Sequence, residues 1–343
     1  MRAAAAAAAD GPGSLRHAAR LRRATTSRAT SGSGSSSSSS SSVTRGPRFE
    51  AIDAPKPVVA LGKFNALHLG HRALVREAGS LGSPWLLSFS GMAEALGRPV
   101  RVPLNAPIDR RRIIAAWADA PQSSCDDDGN VDGGAATPRE RVIPFPLVRS
   151  LTPSDFVDVL ADELGASGVV CGTNFRFGHR ATGTAEDLRT LGARRGLAVR
   201  VVDLVKLSGE CDETISSSRI RTLLEGGSLA TVSRMLGRRF RAVASLPGDG
   251  GGGGGGEVGG GRRVIIPRAC FANALPGAGA YDVSVGCFPR IHYERNRHDD
   301  LACGTPGRLI ISAGGATTLE LAAGGIGGLG GTDGEVVAIE FAE

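Results

Sequence analysis

The sequence contains few aromatic residues and no long uninterrupted run of apolar residues. Phe, Trp and Tyr together make up 4% of the 343 residues. A membrane-spanning helix needs about 18 or more consecutive apolar residues, and no run in this chain reaches that length. A membrane span is therefore not expected. With 41% hydrophobic residues, the chain can still bury a sizeable core, and its length favours more than one domain.

Cysteine is scarce, and its positions form no recognisable pattern. The six cysteines include no C-x-x-C pair, and a disulfide framework is not expected in a chain of this length without a secretory signal. Cys287, His292, His298 and Cys303 could in principle surround a zinc ion, but their spacing matches no familiar zinc site. Buried thiols and surface histidines are the favoured interpretation, so no metal ligand is assigned.

Positive charge is in excess only at the N-terminus. Residues 1–50 contain eight arginines against Asp10 and Glu50, which accounts for the whole formal net charge of +6. The remaining 32 basic and 32 acidic residues balance each other. A nucleic-acid partner is therefore not expected, because the body of the chain has no surplus of cations to replace counterions.

The N-terminal segment is rich in Ala, Arg and Ser, and it includes eight consecutive serines at 35–42. This composition predicts a disordered organelle transit peptide over residues 1–55, for the chloroplast first and the mitochondrion as the alternative. A low-complexity N-terminus without targeting value remains a second interpretation.

Two interruptions divide the rest of the chain. The acidic, glycine-rich stretch at about 121–139 predicts a disordered loop, and the glycine run at 248–261 predicts a flexible linker over 241–261. The predicted domains are therefore 56–240 and 262–343, and short β-rich stretches favour a small β domain in the second.

Residues 56–207 alternate between strand and helix patterns. Such alternation predicts an α/β fold with a parallel sheet covered by helices on both faces. Predicted strands lie at 56–62, 84–90, 140–146, 167–172 and 197–207, and predicted helices at 70–82, 109–118, 152–165 and 184–196. Ligands of such sheets bind beyond the carboxyl ends of the strands.

The stretch "LGKFNALHLGH", residues 61–71, follows the first predicted strand. A helix starting near Leu69 or Gly70 would direct free N–H groups and the positive end of its dipole at an anion. His68 and His71, three residues apart, could both donate hydrogen bonds to phosphate oxygens. The alternative is that both are merely capped, solvated side chains.

A second candidate anion site is "ISSSRIR", residues 215–221. Ser216, Ser217 and Ser218 stand at a predicted helix start, and Arg219 and Arg221 follow closely. The alternative is a plain helix cap with surface arginines. Two such sites after strands of one sheet suit a polyphosphate held between helix ends.

These motifs resemble those of the nucleotidylyltransferase superfamily, namely H-x-G-H and I-S-S-T-x-I-R. "LGKFNALHLGH" is similar to the G-x-F-D-G-V-H-x-G-H opening of FAD synthetases, and "VVCGTNFRFG", residues 169–178, to their V-V-G-E-N-F-R-F-G segment. "LLEGGSLATVSRMLGRRF" resembles the stretch after their second motif, and "LLSFSGMAEALG" looks most like the plant and algal chloroplast type. The resemblance spans about 57–240. It implies a Rossmann-like parallel sheet of the nucleotidylyltransferase type with a smaller C-terminal β-barrel-like domain.

The resemblance also implies an activity, which is transfer of the adenylyl group of ATP to FMN, giving FAD and pyrophosphate with Mg²⁺. The catalytic residues it implies are His68, His71 and Arg221. The implied substrate-binding residues are Gly62, Lys63, Phe64, Asn65, Gly70, Asn174, Phe175, Arg176, Gly178, Ser217 and Ser218. For Asn174 to Gly178, a tight turn with an aromatic anchor is the structural alternative.

The chain departs from the family pattern in three places. Asn65-Ala66 replaces Asp-Gly, which removes a carboxylate near the phosphates, and "SGMAE" at 90–94 replaces a Glu-Pro-His-Pro motif. The C-terminal domain resembles the riboflavin kinase barrel of bacterial bifunctional relatives but has no P-T-A-N motif, so kinase activity is not expected. Another small-molecule adenylyltransferase and a non-catalytic flavin-nucleotide binding protein remain the alternative functions.

Overall fold

The computed structural model describes residues 49–118, 137–207, 213–245, 256–258, 261–289, 304–322 and 335–342. The predicted transit peptide up to residue 48, and residues 121–136 of the predicted loop, lie outside the described residues. The predicted end of the leader at 55 is wrong. Ile52 is buried and its N–H donates to the Leu164 carbonyl at 3.0 Å, so the chain already packs against the first domain before residue 56.

The first domain is built on a five-stranded parallel sheet. Its strands are β1 (Pro57–Leu61), β2 (Ser83–Ser90), β3 (Arg139–Pro144), β4 (Gly168–Gly172) and β7 (Ala198–Val202). The spatial order is β3-β2-β1-β4-β7. Chain order therefore reverses direction between β1 and β4, and the carboxyl ends of these two strands flank the crevice where open α/β sheets bind ligands.

Helices cover both faces of this sheet, as predicted, because alternate residues of its buried strands point to opposite sides. In β1, Val58 and Ala60 join one core, whereas Val59 and Leu61 join another. Helices α1 (Leu69–Leu81) and α3 (Arg110–Ala115) pack on the first side, and α5 (Pro153–Asp158) and α6 (Ala185–Arg194) on the second. A π-helical turn, Val159–Glu163, extends α5. The shorter elements are α2 (Met92–Ala95), α4 (Phe145–Val148), β5 (Arg176–Phe177) and β6 (Gly183–Thr184).

The C-terminal part is a seven-stranded antiparallel sheet, in keeping with the predicted small β domain. The strands are β8 (Arg241–Ser245), β9 (Gly256–Val258), β10 (Gly261–Ile265), β11 (Gly279–Pro289), β12 (Thr305–Ile311), β13 (Thr317–Leu321) and β14 (Glu335–Phe341). Their order is β8-β14-β11-β12-β13-β10-β9. The predicted linker over 241–261 is therefore wrong in two places. Residues 241–245 pair with β14, and residues 256–258 pair with β10.

Two helices connect the sheets, α7 (Ser217–Glu225) and α8 (Leu229–Leu236). The break between them lies at Gly226-Gly227, and Gly227 has a φ of +75° that favours glycine. Ile220 and Leu224 of α7 share one hydrophobic core with strands β8 and β10–β14. The second predicted anion site thus lies on a helix that packs against the C-terminal sheet. The predicted domain boundary at residue 240 therefore does not separate two hydrophobic cores.

Among the helices of the described ranges, none is long and apolar enough to cross a membrane.

Candidate active site

The first predicted anion site lies where β1 leads into α1. β1 is buried along its whole length, and the loop after it places Phe64, Ala66 and Leu67 in the interior. Leu67 adopts a left-handed conformation with a φ of +50°. His68 then returns to an extended conformation and caps α1, which begins at Leu69. The predicted helix start is confirmed.

The two histidines cap the helix reciprocally. The Nδ1 atom of His68 accepts from the His71 N–H at 3.3 Å, and the Nδ1 atom of His71 accepts from the His68 N–H at 3.3 Å. The rings stack with centroids 3.7 Å apart and an interplanar angle of 14°. A neutral imidazole that accepts at Nδ1 carries its proton at Nε2, so this cap leaves each ring with one Nε2–H donor.

Both imidazoles are held in the neutral form. Burial, and then the Arg238 guanidinium, lower the pKa of His68 from 6.5 to about 4. Burial, followed by the charges of His68, Arg110 and Arg238, lowers the pKa of His71 well below its usual value. Each residue is only 7% exposed, which contradicts the alternative of solvated side chains. Neutral Nε2–H donors can stabilise developing negative charge without acting as acids.

This neutral state predicts a loss of stability in mild acid. Below pH 6.5 the histidines of the unfolded chain bind protons, whereas folded His68 does so only near pH 4, so the free energy of unfolding falls as pH falls through this window. His68 alone is expected to contribute a loss on the order of 2 kcal/mol between pH 7 and pH 5.

Denaturant unfolding at several pH values would measure this loss. Carboxylates also titrate below pH 6.5, so the control is the His68→Asn, His71→Asn double variant, which should show a clearly flatter pH dependence. An equal slope for the two proteins would contradict a neutral buried pair.

Two glycines make room for aromatic rings of the site, Gly70 for His68 and Gly62 for Phe64. A Cβ at Gly70 would lie 3.1 Å from the His68 ring, and one at Gly62 would lie 3.3 Å from the Phe64 ring. The Phe64 ring is buried, with its centroid 5.0 Å from that of His71. Lys63 and Asn65, by contrast, are exposed. Gly62, Phe64 and Gly70 therefore shape the site, whereas Lys63 and Asn65 are accessible to a ligand.

The predicted flavin segment follows β4, the strand next to β1 in the sheet. Asn174 and Arg176 are exposed there, and the Phe175 ring stacks on Phe177 at 5.9 Å with an angle of 12°. Gly178 has a φ of +74°, and a Cβ on it would lie 2.9 Å from Pro153. The turn with an aromatic anchor is thus present, but the exposed Asn174 and Arg176 side chains leave substrate contact possible.

The second predicted anion site is the N-terminus of α7. Ser216 caps it by accepting from the Arg219 N–H at 3.2 Å, and Ser217 and Ser218 are the first helical residues. The Arg219 guanidinium is paired with Glu213 at 2.8 Å. Arg221, one turn into the helix, instead donates through Nη2 to the Val102 carbonyl at 2.8 Å.

One connecting segment, residues 102–105, contacts both sites. Its Val102 carbonyl accepts from Arg221, and its Asn105 Nδ2 donates to the Asn65 carbonyl at 3.1 Å. The structure therefore ties the loop after β1 and helix α7 to the same piece of chain, although they are more than one hundred residues apart in sequence.

Sequence reasoning missed three residues that support this arrangement, Asn105, Arg110 and Arg238. Arg110 donates through Nη1 to the Phe64 carbonyl at 2.7 Å and through Nε to Glu140 at 3.1 Å. Arg238 donates to carbonyls of the same loop. Of the three, only Arg238 lies within one of the quoted stretches that resemble the family, "LLEGGSLATVSRMLGRRF". That resemblance was the one sequence feature that could have indicated its importance.

The described residues do not form a metal site by themselves. No group of three or more His, Cys, Asp or Glu within the described ranges is placed to hold a metal ion, and residue 65 is an amide instead of a carboxylate. The Nδ1 atoms of His68 and His71 are already occupied by backbone N–H groups. Mg²⁺ commonly reaches nucleotide sites on the substrate phosphates.

The parallel Rossmann-like sheet has an H-x-G-H helix cap beyond β1 and a serine-arginine helix start after β7, which is the arrangement expected from the resemblance to nucleotidylyltransferases. Comparison with known proteins is more specific. Residues 142–219 match the model of the FAD synthetase family. FAD synthetase 2, chloroplastic, of Arabidopsis thaliana is 37% identical over 235 residues, which are 65% of this chain and 59% of that protein. FAD synthetase 1, chloroplastic, of the same plant is 36% identical over 237 residues, 65% of this chain and 62% of that protein.

The chain thus spans about three fifths of the length of these relatives. The resemblance to FAD synthetases, inferred from the motifs, is confirmed. Among solved structures, that of a macrolide-efflux protein from Streptococcus pneumoniae matches with a TM-score of 0.57 and 18% identity, over 86% of this chain and 94% of that one. This likeness concerns the fold alone, and it includes both sheets because it covers most of both chains.

Proposed function

We propose that the protein is an FMN adenylyltransferase, which transfers the adenylyl group of ATP to FMN and releases pyrophosphate. The observation that carries this proposal is the stacked pair of neutral, buried imidazoles at the start of α1, beside β4 and the "GTNFRFG" loop that follows it. The match of residues 142–219 to the FAD synthetase family supports the choice of acceptor.

In the proposed reaction an oxygen of the FMN phosphate attacks the α-phosphorus of ATP. The new P–O bond forms as the bond from the α-phosphorus to the bridging oxygen of the β-phosphate breaks, and pyrophosphate leaves with that electron pair. Charge builds on the non-bridging α-phosphate oxygens and on the leaving group. The Nε2–H groups of His68 and His71 would stabilise the former, and this role needs no proton transfer.

The β- and γ-phosphates would lie at the N-terminus of α7. The free N–H groups there, the hydroxyls of Ser217 and Ser218, and the guanidinium of Arg221 form a donor set suited to pyrophosphate. Gly62, Lys63, Phe64, Asn65 and Gly70 would form the wall of the crevice on the β1 side. The flavin nucleotide would contact the segment after β4, through Asn174, Phe175, Arg176 and Gly178.

We also propose that the protein acts in the chloroplast. Both Arabidopsis relatives are described as chloroplastic, and the arginine- and serine-rich N-terminus supports a transit peptide that ends before the buried Ile52.

The decisive experiment incubates the full chain with ATP and Mg²⁺, separately with FMN and with riboflavin, and follows FMN and FAD by chromatography. FAD is expected from FMN, and neither product from riboflavin. FMN formed from riboflavin would show that the C-terminal domain is a kinase. Parallel reactions with phosphopantetheine and nicotinamide mononucleotide address another adenylyltransferase. Tight FMN binding without turnover would instead indicate a flavin-nucleotide binding protein.

A further inference from the structure

The arginine that follows helix α8, Arg238, is fixed to the loop that carries the two histidines. Its Nη1 donates to the Leu67 carbonyl at 2.6 Å, and its Nη2 donates to the Ala66 carbonyl at 3.1 Å. Nη2 also donates to Asn105 Oδ1 at 2.7 Å. A planar guanidinium presents its donors in a fixed fork. It therefore sets the orientation of two successive peptide units immediately before His68.

We infer that Arg238 is a positioning residue for adenylyl transfer: it holds the 66–67 backbone so that His68 and His71 keep their stacked, donor-ready arrangement. This inference rests on the proposed function of the two histidines. Arg238 itself is not assigned a contact with substrate.

The conformation of Leu67 shows why the loop needs such a restraint. A buried leucine with a φ of +50° is in the left-handed region, which costs about 1–2 kcal/mol for a residue with a Cβ. The neighbouring contacts must hold it there. The shortest hydrogen bond of Arg238 goes to the carbonyl of this same residue, and the next residue is the helix cap.

The surroundings of Arg238 are unusual for a residue retained only for stability. Its hydrogen-bond acceptors are the carbonyls of Ala66, Leu67 and Leu236 and the amide oxygen of Asn105, all of them neutral. Burial, and then the charge of Arg112, lower the pKa of Arg238 to about 9, and the Asp109 carboxylate only partly opposes this shift. Arg238 is partly buried, and a guanidinium withdrawn from water without a bonded carboxylate is costly, so geometry accounts for its presence better than net stabilisation does.

The test compares Arg238→Lys and Arg238→Met with the matched control Arg239→Met. Arg239 is the next residue, its side chain is half exposed, and its nearest ion-pair partner is Glu340 at 3.9 Å. Lysine keeps the positive charge but lacks the two planar Nη donors of arginine, and methionine keeps only the approximate size of the side chain. Each protein is assayed for FAD formation with saturating ATP and varied FMN, at a temperature where circular dichroism shows it folded.

The expected result is a loss in kcat of about tenfold for Arg238→Lys and about a hundredfold for Arg238→Met, with the KM for FMN changed less than about threefold. Misplaced imidazoles fail in the transition state rather than in substrate binding. Arg239→Met should stay within about twofold of the wild-type kcat. If Arg238→Met does not fold, Arg238→Lys decides. A Lys variant with wild-type kcat, or with a change in KM alone, would overturn the inference.

Hydrogen exchange of the free protein separates this inference from the proposed function. Amides of residues 67–72 should exchange about tenfold faster in Arg238→Lys than in Arg239→Met, because the helix cap loosens. If these amides exchange faster in Arg238→Lys but the wild-type protein makes no FAD, the proposed function is rejected and the role of Arg238 in the loop is kept. Equal exchange with normal turnover would reject the role of Arg238 and keep the function.

Discussion

Replacement of His71 by alanine is expected to lower the kcat of FAD formation by about a hundredfold to a thousandfold, which is the usual effect of removing one donor from a transition-state site. The side chain contributes an Nε2–H donor and also caps the helix, because its Nδ1 atom accepts from the His68 N–H at 3.3 Å. The KM for FMN should change much less, since the donor acts mainly on charge that develops during transfer.

The cap and the donor can be separated. In His71→Asn the amide oxygen can still accept at the cap, so this variant should unfold close to the wild-type midpoint while remaining impaired in turnover. His68→Ala should show a similar loss. The double alanine variant should lose far less than the product of the two single effects, because stacked groups that act together are not additive. Wild-type turnover in His71→Ala would remove this histidine from the mechanism.

Features set by local sequence could be predicted. The buried strands and the helices between them follow from apolar runs and periodicity, and the start of α1 follows from the position of "HLGH" after a strand. The helix that begins at Pro153 follows from Thr152, whose hydroxyl accepts from the Asp155 N–H at 3.2 Å. These signals act over a few residues, so one sequence is enough to recognise them.

Features set by distant contacts could not be predicted. Strand β8 lies in a stretch that was predicted to be a linker. The strand could not be recognised locally, because its burial comes from pairing with β14, which starts about 90 residues later. No local pattern shows that Leu67 is left-handed or that Arg238 binds its carbonyl from 171 residues away. The residues of the candidate site could therefore be proposed from local motifs, whereas the residues that hold them in place could not.

The placement of α7 gives the C-terminal sheet a part in the proposed site. Ile220 and Leu224 on α7 share a core with Val283, Leu309 and Ile339 of the sheet. Arg221 lies on the flank of the same helix, next to Ile220, where it donates to the Val102 carbonyl. If α7 binds the pyrophosphate as proposed, a β domain without kinase activity would still be needed for FAD formation, because this helix packs on the sheet.

Replacement of Arg221 by alanine is accordingly expected to lower kcat/KM for ATP by about a hundredfold, the size typical of losing a charge-assisted contact to phosphate. Arg221→Lys should recover part of this loss, because lysine keeps the charge but cannot contact both the Val102 carbonyl and a phosphate through one planar fork. Steady-state kinetics with varied ATP at saturating FMN would measure both.

Arg219→Ala provides the comparison within the same turn of helix. Its guanidinium is already paired with Glu213 at 2.8 Å, so its removal should cost no more than about threefold in kcat/KM for ATP. If Arg219→Ala and Arg221→Ala had equal effects, the cause would be the general positive field of the helix start. A much larger effect at Arg221 would identify a directed contact, as expected from a side chain held half-buried beside the loop at 102–105.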